Sequence, residues 1–133
     1  MRTGKRGGTR GDGDRGAFTL SYVIIFPIFL LALMVIAQAS LLYLARQAAL
    51  AAARQGADAA RFDHAPAGAG TAAALSFATT VASGYLRAPA ASESVSNQTV
   101  QITVTGSIFP LVPGMATDVS ETAQAPVERF TVP

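Results

Sequence analysis

The chain has 133 residues, with 10 Lys/Arg against 8 Asp/Glu, one histidine and no cysteine. The missing cysteines exclude disulfide stapling, thiolate metal centres and cysteine nucleophiles. Setting aside an apolar run and a short leader leaves about ninety residues. That is one small domain at most, and a marginal one without anchoring or neighbours.

Residues 1–15, MRTGKRGGTRGDGDR, are Gly-rich and polar and hold five Lys/Arg. They lack apolar periodicity, so disorder is expected. The Arg10-Gly11-Asp12 triplet within them reads as a chance product of Gly/Arg-rich composition. The leader also lacks the aromatic residues on which nucleic-acid bases stack, so no nucleic-acid partner is expected.

From Gly16 to Ala45 thirty residues pass without a charge, bounded by Arg15 and Arg46. As a helix rising about 1.5 Å per residue, the run reaches roughly 45 Å. A bilayer core is roughly 30 Å thick, so a membrane-spanning helix in contact with lipid is expected. Pro27 lies inside it, where proline removes one hydrogen bond and crowds the carbonyl of Val23, so a kink or loosening is expected there. Five Lys/Arg precede the span, and three follow in the next stretch of similar length, at Arg46, Arg54 and Arg61. That bias puts the N-terminus in the cytoplasm and the C-terminus outside. Arg46 reads as an interfacial anchor.

Beyond Arg46 the Ala-rich pattern continues the helix to about Phe62, and its small residues around Ala48, Ala52 and Ala59 permit close helix packing. Asp63 to Gly70 reads as a loop. Thr71 is a candidate cap for a second helix through about Leu86, with Leu75, Ala78, Ala82 and Tyr85 as its apolar stripe. Pro89 is expected to end it, and Ser92 to Asn97 to form a polar linker. Thr99 to Thr105 alternates polar and apolar residues as a half-buried strand does. A second strand near Ala116 to Ala125 is expected to pair with it, and Val127 to Val132 to extend it or add a third.

Ala37-Gln38-Ala39 has the form of a signal-peptidase site, which would release a soluble domain starting at Ser40. The apolar stretch before it exceeds the usual length of about 7–15 residues. His64 with Asp58 and Asp63 is a poor metal constellation. No basic partner is placed to activate a serine or threonine. Glu121 and Glu128 read as exposed charges. No cofactor, metal or small-molecule substrate is expected.

The head of the span reads Arg15-Gly16-Ala17-Phe18-Thr19-Leu20-Ser21-Tyr22, then Val23-Ile24-Ile25-Phe26-Pro27 and a Leu/Ile run. Together with Tyr43 to Ala48 and Ala52 to Ala57, it resembles the TadE-like family, minor pilins or pseudopilins of Tad (Flp) type IV pili. The segment around Phe109 to Gly114 and its flanking strands is similar more loosely. The resemblance implies a pilin-like α+β fold: a leader over 1–16, a transmembrane stem helix over 17–62 and a small extracytoplasmic α+β region over 63–133. It also implies cleavage by a prepilin peptidase after Gly16, which leaves Ala17 as the new N-terminus. The implied partners are that peptidase, other pilin subunits and the Tad assembly machinery. Family members usually carry glutamate at the fifth mature position, where this chain has Ser21. Related secretion pseudopilins include a member without that glutamate at the filament tip, so a tip position is the corresponding expectation. The alternative from another class is a secreted or membrane-anchored small binding domain unrelated to filaments.

Overall fold

The computed structural model describes Gly4, residues 12–62 and residues 64–128, with side chains in the first helix from Ser21 onward. Two helices precede three strands: α1 Asp12–Ala60, α2 Ala69–Val81, β1 Arg87–Val95, β2 Thr99–Ser107 and β3 Asp118–Pro126. The architecture is α+β.

The 49-residue α1 starts at Asp12. Residues 12–15, expected to be disordered, are therefore helical. The expectation of disorder for the rest of the leader, including Arg10 and Gly11, falls outside the described residues apart from Gly4. Toward its other end α1 is rich in alanine, the strongest helix former. Ala45, Ala49, Ala52, Ala53 and Ala57 recur at three- and four-residue spacing and are all buried.

The second helix departs from its expected form. It ends at Val81 rather than Leu86, ahead of Ser83-Gly84, and Pro89 lies inside β1. Its N-cap is Gly68, with φ 82 and no side-chain cap hydrogen bond. Thr71 lies within the helix. Its backbone N–H donates to Glu93 Oε2 at 3.3 Å, so a carboxylate from β1 satisfies a donor of the first turn. The buried positions of α2 are Gly70, Ala74 and Ala78, whereas Leu75 and Phe77 are half-buried and Val81 is exposed. The helix thus turns its smallest residues inward, because its partner α1 offers only alanine and glycine there.

That contact is close. A Cβ built on Gly56 would lie 2.6 Å from the Gly70 carbonyl oxygen, and one built on Gly70 would lie 2.7 Å from Ile102 Cδ1. Ile102 is fully buried where α1, α2 and β2 meet.

The sheet is antiparallel in the order β1-β2-β3. Val100, Ile102 and Val104 face the helices, opposite Ala125, Ala123 and Glu121 of β3 and Val95, Glu93 and Ala91 of β1. The other face carries neutral polar side chains, with Thr103 Oγ1 and Thr122 Oγ1 2.9 Å apart and Gln124 Nε2 donating to Gln101 Oε1 at 3.1 Å. The expected linker over Ser92 to Asn97 is mostly strand. Its register with β2 is irregular between Arg87 and Ala90, where Ala88 has φ 47 and Pro89 follows. Proline is tolerated there because β1 is an edge strand. Of the expected extension over Val127 to Val132, Val127 and Glu128 lie outside any strand and the rest falls outside the described residues.

Candidate functional site: the exposed half of the long helix

Two halves of α1 have opposite surroundings. Between Tyr22 and Ile36 its large apolar side chains are exposed; Ile25 is 59% accessible and Phe26 62%. From Gln38 onward one face is covered by α2, β2 and β3. The helix is long and apolar enough to cross a membrane. Exposed aliphatic surface of this extent is costly in water and favourable in hydrocarbon.

Gly16 and Ala17 lie in the backbone of α1, four and five residues from its start. Ser21 is exposed on the same helix and bears a neutral hydroxyl. Pro27 is inside α1, which continues through it, and with Tyr22, Val23 and Phe26 it lines a shallow apolar groove. These four positions lie on one helical segment, the head of α1.

The boundary between the two halves is Gln38. Its side chain is fully buried, and its Oε1 accepts a hydrogen bond from the Leu111 N–H at 2.7 Å. Its Nε2 is buried without a hydrogen-bond partner. The residue ties α1 to the connection between β2 and β3, 73 positions away. That connection closes through an Ile108 N–H to Thr117 carbonyl bond and a turn at Val112-Pro113-Gly114-Met115, where Gly114 has φ 84. Proline second and a positive-φ glycine third is the pattern of a type II turn. In the sequence Gln38 is the middle of the Ala37-Gln38-Ala39 triplet. The available signal was a lone amide in a charge-free run.

At the opposite end of the sheet, Arg61 lies 3.7 Å from Asp58 and 3.6 Å from Glu128. Glu128 is thus a half-buried ion-pair partner rather than a solvated charge, and Glu121 is also only partly exposed. Arg46 and Arg54 are exposed. His64 sits in the α1–α2 loop with φ 63. Among the described residues no three His, Cys, Asp or Glu side chains converge to hold a metal ion.

The sequence model of the family described as TadE-like protein matches residues 16–58. The matched segment opens at Gly16, spans the exposed half of α1 and ends two residues before the helix does. Comparison with curated proteins and with solved structures gives no match.

Proposed function

From the match of residues 16–58 to the TadE-like protein family model, we propose that the chain is a structural subunit of a Tad-type pilus or of its assembly site. The observation that carries this reading is the length of the bare half of α1. Gly16 to Ala37 is 22 residues, about 33 Å of helix, against a bilayer core of roughly 30 Å. The folded residues begin at the next position, Gln38. The arrangement suits a subunit held in a membrane by its stem, N-terminus in the cytoplasm, with the folded region outside.

Prepilin peptidase cleavage after Gly16 fits this geometry. A helical peptide bond must unwind before it is cut. Gly16 is close to the helix start and is a poor helix former, so local opening there costs little. The stem survives such a cut and is free to pack among other stems in a filament. Cleavage at Ala39 would instead sever α1 beside buried Gln38 and remove the acceptor of the Leu111 N–H. That weighs against a released soluble domain.

Ser21 sets the proposed place in the filament. Cleavage creates an ammonium group at Ala17, and burying it without a counter-charge is costly. A neighbour's carboxylate can neutralise it, but Ser21 returns no such carboxylate. The subunit can therefore donate its amine to one neighbour without accepting another's, which suits a tip or initiating position. Pro27 gives the stem a point of bending as it passes from lipid to filament.

The test is to shear surface pili from cells producing a tagged chain and to blot the pilus and membrane fractions. The reading predicts a small, fixed amount in sheared pili, or in the assembly complex when pili are arrested. A chain found only in membranes, unassociated with any pilus component, contradicts it.

A further inference from the structure

We propose that the β2–β3 connection, residues 108–117, is a second membrane contact that rests on the outer lipid surface beside the stem. The inference depends on the stem spanning the bilayer as proposed above. Three observations carry it.

The first is depth. The Leu111 N–H is bonded to Gln38 Oε1 at 2.7 Å, so the connection is fixed at the level of Gln38. Gln38 is eight residues before Arg46, or about 12 Å below the first charge that follows the span. With Arg15 at the inner boundary, a core of roughly 30 Å ends near Ala37. The connection then lies where hydrocarbon meets headgroups.

The second is composition. Ile108-Phe109-Pro110-Leu111-Val112-Pro113 is apolar, and Phe109 is 58% exposed rather than buried in the fold. Aromatic rings favour this interfacial level. The Arg87 guanidinium lies over the Phe109 ring at 5.9 Å, a cation placed to reach lipid phosphate while its ring partner faces the acyl chains.

The third is the segregation of charge. No charged residue occurs between Glu93 and Asp118. Asp58, Arg61 and Glu128 gather at the end of the sheet remote from the connection. The uncharged connection therefore faces the proposed bilayer, flanked at headgroup level by Arg87 and Asp118, which both pair with Ser107 at that end of the sheet, and the ion-paired end faces away.

The chain has no tryptophan, so one introduced residue is a clean probe. Phe109→Trp in the full chain, reconstituted into phosphatidylcholine vesicles, is expected to emit in the blue. It should lose about half its emission to lipids brominated near the headgroup, an insertion depth typical of interfacial apolar segments. Val112→Trp carries the same expectation if circular dichroism shows that Phe109→Trp disturbs the fold. Val95→Trp, at the remote hairpin, should respond to aqueous iodide and not to bromolipid. Phe29→Trp reports on the stem. Bromolipid quenching at position 29 without quenching at 109 or 112 overturns the proposal and leaves the spanning reading intact. Absence of quenching at all three sinks both. A blue shift at 109 that appears only on assembly with other subunits, unquenched by bromolipid, assigns the surface to a protein contact and also overturns the proposal.

Discussion

Gly56 of α1 faces Gly70 of α2 so closely that a single added methyl group at position 56 would sit 2.6 Å from the Gly70 carbonyl oxygen. The two glycines let the helices meet backbone to backbone, with Ile102 of β2 filling the space beneath both. The folded region is small and its helix interface is mostly alanine. Its stability therefore depends on close approach more than on bulky side chains.

Gly56→Ala is accordingly expected to destabilise the chain. Overpacking costs about 1–3 kcal/mol, against up to about 1 kcal/mol returned by better helix propensity. Thermal unfolding in detergent, followed by circular dichroism, should show a fall of several degrees. Gly84→Ala is the control: nothing lies within 4 Å of a Cβ there, so its effect should be near zero.

Ile102 is fully buried at the same junction. Ile102→Ala should cost about 2–5 kcal/mol and Ile102→Val about 0.5–1.5 kcal/mol. Denaturant titration of both variants tests the ratio. Equal effects would mean that the site collapses around the lost atoms.

Glu93→Ala removes the carboxylate that accepts from the Thr71 N–H at the head of α2. A loss of about 0.5–2 kcal/mol is expected, by analogy with removal of an N-cap side chain. Glu93→Gln should keep part of it, since an amide oxygen still accepts a hydrogen bond. Amide exchange in the first turn of α2 should rise in the alanine variant and less in the glutamine variant.

These residues show what could be read from the sequence and what could not. The apolar run, its proline and the β2 alternation are local patterns, visible in a single segment. The role of Glu93 was hidden because a strand 22 positions later supplies the cap that Thr71 seemed to provide. β1 was read partly as linker because Ala90, Ser92 and Ser94 have little strand preference of their own; pairing with β2 recruits them. Of the expected stripe, Ala78 and Ala82 are buried and Tyr85 packs partly against the core, but Gly70 and Ala74 also face inward, and such small residues give no apolar signal. Only the glycine and alanine surface of α1 decides which side packs. Gln38 was legible as an oddity, but its partner Leu111 was not, since nothing in either segment announces a contact 73 positions apart.

Ser21→Glu introduces a carboxylate near the head of the stem. If Ser21 fixes a tip or initiating place, the variant should enter along the shaft and change pilus number, read by quantitative blotting of sheared pili and by electron microscopy. Unchanged incorporation together with unchanged pilus number would remove the physical basis of the tip position.

Cleavage after Gly16, as proposed, leaves the stem whole. Intact-mass and N-terminal peptide mass spectrometry of the chain purified from cells that make it measures this directly. A mature N-terminus at Ala17 is expected. An N-terminus at Ser40, or an uncleaved leader in cells assembling pili, would contradict it.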